Sequence, residues 1–268
     1  MQLWRAGLSY GNRRLWQDLD LTVTAGEFLA VLGPNGSGKT SLVKVLLGLT
    51  PLSSGTALVG GAPPRRGSNT IGYVPQQKGF DRDLPVRGTD LVRLGLDGHR
   101  WGVGRPNAAR RRRVEAAVAA VGASGFADSP IGRLSGGEQQ RVRIAQALIG
   151  NPALLLCDEP LLSLDIKHQH DVVIALDRQR RDAGIAVLFV THEINPILPF
   201  TDRVLYLVGE RWAIGTPDEV LTSAILSELY QTQVDVLRVH GRIVVVGAPD
   251  DIRNDAHHGT YDDSVSHR

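Results

Sequence analysis

Short apolar runs alternate with turn residues over the first third of the chain. The runs at 19–23, 27–33 and 55–61 have the length and the flanking residues typical of strands. The segment 41–49 instead carries apolar residues at the spacing of a helix. The order of strand, glycine-rich loop and helix predicts an α/β fold.

The segment between residues 76 and 150 is helical and basic in its pattern. Within it, 110–122 and 138–150 both carry apolar residues at helical spacing. This change of pattern predicts an inserted helical subdomain at 76–150.

The second half of the chain returns to the α/β pattern. Apolar runs at 153–159 and 185–193 predict buried strands, and the polar stretch 167–181 between them predicts a helix, as in a parallel sheet. After residues 216–230, two apolar runs around His240 and Gly241 predict a terminal hairpin. The predicted organisation is one domain at 1–247, comprising a core with a β subdomain at 1–75 and 151–232, the helical insert at 76–150 and the hairpin at 233–247, followed by a disordered tail at 248–268.

The composition is that of a globular protein. The 268 residues are 42% hydrophobic, which is enough for one large domain or two small ones. The formal charge of +2 is close to balanced, so we expect no nucleic-acid partner. The single cysteine, Cys157, excludes an intramolecular disulfide and fits a reducing compartment. No apolar run approaches the roughly 18 residues that span a bilayer, so we expect any membrane role to depend on a partner.

Two groups of charged residues leave alternatives open. The arginine run 110–113 is interpreted as a solvated helical face, with anionic lipid headgroups as the alternative partner. The histidine pair at 257–258 is interpreted as part of a solvated tail, with metal sensing as the alternative. His168 and His170 are two apart on a predicted helix and face different directions, which argues against a shared metal.

Residues 33–40, GPNGSGKT, follow an apolar run and precede a helix. In that context, a glycine-rich loop of this spacing binds nucleotide phosphates. Its backbone N–H groups wrap phosphate oxygens, Lys39 reaches the β- and γ-phosphates, and Thr40 offers a hydroxyl to Mg²⁺. The predicted ATP-binding residues are Gly33, Pro34, Asn35, Gly36, Ser37, Gly38, Lys39, Thr40 and Ser41. The alternative is a glycine-rich turn without a ligand.

Two adjacent carboxylates end a buried run. Asp158 follows four apolar residues, and Glu159 comes next. We predict that Asp158 holds Mg²⁺ and that Glu159 is the general base that polarises the attacking water; a plain acidic turn is the alternative. His192 ends another apolar run, so a parallel sheet would bring it to the same edge, where we predict a γ-phosphate contact rather than a structural role.

The stretch LSGGEQQR at 134–141 predicts the start of a helix. Ser135 is a suitable cap, and Gly136 and Gly137 leave the backbone N–H groups uncovered. Such a helix end attracts anions.

With these four features together, the chain resembles the ATP-binding subunits of ABC transporters across nearly its whole length. The resemblance implies a P-loop NTPase core with a mostly parallel sheet, an N-terminal antiparallel β subdomain and an inserted helical subdomain, and it implies ATP and Mg²⁺ as cofactors. It also implies that LSGGEQQR, including Ser135, Gly136, Gly137 and Glu138, binds the γ-phosphate held by a second copy, in a homodimer.

Three further residues are matched through this resemblance. Tyr10 corresponds to the aromatic residue that stacks on adenine. Gln76 corresponds to the catalytic glutamine that links Mg²⁺ and water to the helical subdomain, with Gln77 as its rival. Asp165 corresponds to the contact between subunits, although Leu162 and Leu164 stand where smaller residues are frequent.

The cargo is also suggested by resemblance. Segments 79–95, 191–198 and 228–247 are most similar to importer ATPases for manganese, zinc or related iron cargo. That family implies a peripheral subunit at the cytoplasmic face, a separate membrane permease docked at the helical subdomain and an extracytoplasmic substrate-binding protein. The alternatives are another importer cargo such as siderophore-bound iron, an exporter, a soluble ABC ATPase without a transport role, and a non-catalytic nucleotide-binding module.

Overall fold

The computed structural model describes residues 1–76, 79–97, 108–162 and 164–247. The strands are β1 (Gln2–Tyr10), β2 (Arg13–Thr22), β3 (Phe28–Leu32), β4 (Ser54–Leu58), β5 (Ile71–Val74), β6 (Leu154–Asp158), β7 (Ala186–Val190), β8 (Arg203–Val208), β9 (Arg211–Gly215), β10 (Asp235–Val239) and β11 (Arg242–Val246). The helices are α1 (Lys39–Leu46), α2 (Gly88–Asp97), α3 (Ala108–Ala120), α4 (Gly136–Leu148), α5 (Ile166–Ala183), α6 (Pro217–Val220) and α7 (Ser223–Tyr230). The predicted tail at 248–268 and Gln77 lie outside the described residues.

A six-stranded sheet with the order β5-β6-β7-β3-β8-β9 forms the centre of the molecule. β3, β6 and β7 bury all of their residues, as expected for apolar strands covered on both faces. The pairs from β5 to β8 are parallel, and β9 pairs antiparallel with β8. The carboxyl ends of β3, β6 and β7 therefore meet at one edge, and the predicted α/β class is confirmed.

The N-terminal strands form a second, antiparallel sheet with the order β2-β1-β4. A shared core lies between this sheet, α1 and the central sheet, and it includes Trp16, Leu19, Leu42 and Leu46, each with 0% exposure. Each fully buried side chain of this kind stabilises the fold by about 1.5–3 kcal/mol. This core fixes α1 and the loop before it between the two sheets.

Helices α2, α3 and α4 pack against one another and contribute Val92, Val118 and Ile144 to the larger hydrophobic core. Guanidinium groups lie over aromatic rings at the margin of this cluster: Arg143 is 4.4 Å from the ring centroid of Phe80. The boundaries of the helical insert at 76–150 stay a prediction. None of the helices in the described ranges is long and apolar enough to cross a membrane.

The arginine run at the start of α3 has protein partners. Arg111 pairs with Glu115 at 2.8 Å, and Arg113 donates to the carbonyl of Ile149 at 2.8 Å. The Arg111 pair is exposed and contributes little stability, since water screens it. These contacts favour the interpretation of a helical face over that of a lipid contact.

Several elements are absent from the sequence-based prediction. β5 has only four residues, and β1 pairs with β2 through register shifts, so neither carries a clean period-2 pattern. α2, β8 and β9 were also not predicted. The same holds for α6 and α7, which are separated by a turn at Leu221, with Thr222 as the cap of α7.

The predicted terminal hairpin is confirmed as the antiparallel pair of β10 and β11. Its inner residue Ile243 is buried, with 4% exposure. The Asn195 side chain donates to the Ile243 carbonyl at 2.9 Å and accepts from the Ile243 N–H at 2.8 Å. The Asn195 amide forms the two hydrogen bonds that a neighbouring strand would form, and so it holds the hairpin to the segment that follows β7.

Candidate nucleotide site

A cleft of about 1040 Å³ opens at the sheet edge where β3 and β7 end. Its lining brings together residues that are distant in sequence: Tyr10, the loop at 33–41, Gln76, Glu159 and His192. Asp158 lies at the same edge and is buried, with 5% exposure. The structure therefore gathers the predicted phosphate loop, carboxylates and histidine at one place.

The glycine loop takes a path that side chains would block. Gly33 and Gly38 have φ values of 141° and 97°. A Cβ on Gly33 would overlap the backbone oxygen of Leu207, and one on Gly38 would lie 2.9 Å from the indole nitrogen of Trp16. Gly38 also stands at the N-terminus of α1, where no side chain caps the helix. The loop thus presents the uncapped helix end that anions bind.

Lys39 lies inside this loop. It is 7% exposed, and its Nζ donates to the carbonyls of Gly33 at 2.6 Å and Pro34 at 2.9 Å. Burial lowers the pKa of Lys39, whereas the Glu159 and Asp158 carboxylates raise it. The ammonium is thus held against the loop, where a phosphate would replace carbonyl oxygens as its acceptors.

The two carboxylates face the same region in different environments. Burial raises the pKa of Asp158 and the neighbouring Glu159 raises it further, whereas Lys39 and a hydrogen bond from the Thr40 hydroxyl lower it. Crowded negative charge beside a hydroxyl is an oxygen donor set that suits Mg²⁺, because a divalent cation would neutralise the repulsion. The residues present therefore fit the predicted metal.

His192 lies directly against Glu159. Its Nδ1 is 2.9 Å from Glu159 Oε2, and the side chain of His192 is 58% exposed whereas that of Glu159 is 16% exposed. Glu159 has a positive φ of 49°, and its N–H donates to the carbonyl of Val190 at 3.0 Å. The end of β7 thus holds both the base candidate and its histidine neighbour.

The predicted helix start at LSGGEQQR is present as the N-terminus of α4. Ser135 is the N-cap and forms a capping box with Glu138: its backbone N–H and its Oγ each lie 2.8 Å from Glu138 Oε2. Ser135 therefore caps this helix in the isolated chain, and the Glu138 carboxylate holds Ser135 in place. In the part of the chain that the structure describes, none of the following predicted residues lines the cleft: Ser135, Gly136, Gly137, Glu138 and Asp165.

Asp165 caps α5 and holds the ring of His168. Its Oδ1 accepts from the His168 N–H at 2.9 Å, and its Oδ2 is 2.8 Å from His168 Nδ1. The backbone hydrogen bond with His168, followed by the side-chain bond, lowers the pKa of Asp165. His170 is exposed and lies two residues further along. Among the described residues, no cluster of three or more potential metal ligands is found.

A family model for the ABC transporter matches residues 16–162. The zinc import ATP-binding protein ZnuC of Yersinia pestis is 35% identical over 218 residues, which cover 81% of this chain and 79% of that protein. The chain belongs to the ABC transporter family. It is therefore an ATP-binding subunit, and the members of its class are ATPases that drive transport.

Other ABC transporter proteins agree with this assignment. The manganese transport system ATP-binding protein MntB of Bacillus subtilis is 32% identical, and the match covers 86% of this chain and 92% of that protein. The inward-facing structure of a putative metal-chelate type ABC transporter matches with a TM-score of 0.76 and 26% identity, covering 91% of this chain and 94% of that chain. The ADP conformation of the ATP-binding cassette MJ1267, at 20% identity and a TM-score of 0.73 over 86% of this chain and 97% of that one, supports the fold.

Two residues matched through the ABC transporter resemblance line the cleft as expected. Tyr10 ends β1 and is 47% exposed, and Gln76 follows β5 by two positions. Their roles toward adenine and Mg²⁺ stay predictions. Gln77 lies outside the described residues, so the structure gives a position for Gln76 only.

Sequence reasoning missed two other residues of this ABC transporter cleft. Arg13 lines it and donates from Nη2 to the Gly36 carbonyl at 3.1 Å. Asn195 lines it through the contact with Ile243 described above. The available signal for Arg13 was its position at the start of β2, three residues after Tyr10, whereas Asn195 had no such signal.

Proposed function

We propose that this chain is the ATP-hydrolysing subunit of an importer for a divalent metal ion, zinc or manganese. The observation that carries the proposal is its similarity, at 32–35% identity over most of its length, to ATP-binding proteins named for zinc import and manganese transport. An importer of this kind needs a membrane permease and an extracytoplasmic binding protein, which we propose as its partners. The chain would act at the cytoplasmic face of the membrane, with the permease docked on α2, α3 and α4.

ATP hydrolysis follows from the residues that line the cleft. The backbone amides of the glycine loop and Lys39 bind and orient the phosphates. Glu159 accepts a proton from the attacking water as general base, and His192 holds the γ-phosphate region. Thr40, Asp158 and Gln76 would hold Mg²⁺, which supplies neutralisation of phosphate charge.

The proposed working unit is a homodimer. The helix end at Ser135 is of the kind that binds anions, but it does not line the cleft of its own chain. A second copy would therefore supply the γ-phosphate that it binds. ATP would then join the two subunits, and hydrolysis would remove the bridging charge. Since α4 belongs to the predicted helical insert, closure would move the surface proposed for the permease.

The test is elemental analysis of cells that lack this chain, grown under metal limitation. They are complemented with the intact protein, with Glu159→Gln, or with Glu228→Gln, which makes the same charge change at an exposed position of α7. We expect zinc or manganese content to fall and to be restored by the intact chain and by Glu228→Gln but not by Glu159→Gln. Unchanged metal contents, or loss of iron alone, would overturn the proposed cargo.

A further inference from the structure

His168 lies in the first turn of α5, and its side chain packs against the start of α4. Gly137, the second glycine of LSGGEQQR, is buried against it: a Cβ at Gly137 would lie only 2.7 Å from Cγ and 2.8 Å from Cβ of His168. The imidazole therefore occupies the space that a side chain at position 137 would need. This contact fixes how closely the two helix ends approach.

The same ring is bonded to Asp165. Its Nδ1 lies 2.8 Å from one carboxylate oxygen, while the backbone N–H of His168 donates to the other at 2.9 Å. The side chain of His168 is 31% exposed and that of Asp165 is 65% exposed. The Cγ–Cδ2 side of the imidazole thus lies close to Gly137, while its Nδ1 is bonded to an exposed carboxylate.

This arrangement joins two segments that the proposed dimer directs at the partner subunit. Ser135 to Gly137 would contact the γ-phosphate bound by the partner, and Asp165 would contact the partner itself. The two segments are separated in sequence by the rest of α4 and by β6. A shift of either segment relative to the other would cost the packing of the ring against Gly137 or its hydrogen bond to Asp165.

We propose that His168 is a positioning residue that couples the Gly137 helix end to Asp165 and so acts in trans, on the nucleotide held by the other subunit. The proposal rests on the homodimer proposed above. It assigns to His168 no contact with ATP. It predicts that His168 affects closure and turnover but leaves nucleotide binding by the single chain unchanged.

The first experiment compares His168→Ala and His168→Gln in the full-length chain with His170→Ala, an exposed histidine on the same helix, as control. We expect His168→Ala to lower kcat by about three- to tenfold, the effect of one lost side-chain hydrogen bond together with the lost packing against Gly137. Affinity for fluorescent ADP should stay unchanged, and His168→Gln, whose amide can still donate to Asp165, should recover part of the activity. Wild-type turnover in both His168 variants, or weakened ADP binding, would overturn the proposal.

The second experiment separates action in trans from action in the same chain. Glu159→Gln and His168→Ala chains are mixed in equal amounts, and ATPase activity is compared with the mean of the two separate preparations. In a mixed dimer, the His168→Ala chain supplies an intact Glu159 and faces the intact α4 and α5 of its partner, so activity above the mean is expected. Activity at or below the mean overturns the proposal, whereas a wild-type chain without ATPase activity would instead overturn the proposed function.

Discussion

At the scale of single residues, the cleft depends on Glu159, whose backbone conformation is uncommon for a residue other than glycine. Glu159 adopts the left-handed conformation, with φ of 49°, which costs about 1–3 kcal/mol for a residue that is not glycine. The bond from its N–H to Val190 and the contact with His192 hold it there. A carboxylate fixed in this way at a sheet edge is suited to orient a water molecule.

Replacing Glu159 with Gln tests its proposed role as general base. The amide keeps the shape of the side chain but cannot accept the proton, so we expect kcat to fall by a factor on the order of 10²–10⁴. Binding of Mg·ATP, measured by equilibrium dialysis, should persist. Glu228→Gln is the matched control, and full turnover by Glu159→Gln would refute the assignment.

At the scale of elements, helix ends determine the binding chemistry. α1 starts without a side-chain cap inside the cleft, whereas α4 starts with a complete capping box outside it. α6 carries the same capping box, formed by Thr216 and Glu219, at a position away from the cleft lining. Two equivalent helix starts therefore allow the proposed dimer contact to be separated from simple capping.

Ser135→Arg is expected to abolish the dimer that forms with Mg·ATP, because it places a bulky cation where the partner's phosphate would bind. Removal of the cap should lower stability by about 1 kcal/mol. Thr216→Arg removes an equivalent cap and should leave the dimer intact. Gel filtration in the Glu159→Gln background provides the measurement, and equal dimer formation by both variants would contradict the contact.

At the scale of the whole molecule, the C-terminal hairpin closes one side of the cleft region. Ile243 and Val245 line the cleft, and Asn195 connects the hairpin to the segment after His192. The outer face of the hairpin instead exposes Leu237 and Val244, at 50% and 44%. The hairpin thus forms part of the wall of the cleft.

Asn195→Ala should lower the free energy of unfolding by about 1–3 kcal/mol, because both bonding groups of Ile243 lose their partner in a partly buried position. Urea denaturation measures the change. Asn12→Ala, at an exposed position in the turn between β1 and β2, is the control. An equally small change in both variants would show that the amide contact does not stabilise the hairpin.

Much of the central sheet could be predicted because its strands are continuous apolar runs. β3, β6 and β7 were found from such runs, and the parallel order then required Gly33, Asp158 and His192 to share one edge. α6 and α7 were not found by the same reasoning, because α6 has only four residues and a single turn at Leu221 separates it from α7.

The sequence by itself determined the phosphate loop, the paired carboxylates and the glycine-led helix start. Each is a contiguous stretch, and the residue types in that order are enough to indicate its chemistry. Only the tertiary structure decided that His168 lies against Gly137, and that Asn195 holds Ile243. These contacts join residues on different elements, so they depend on strand order and helix packing, and no local pattern of hydrophobic and polar positions specifies them.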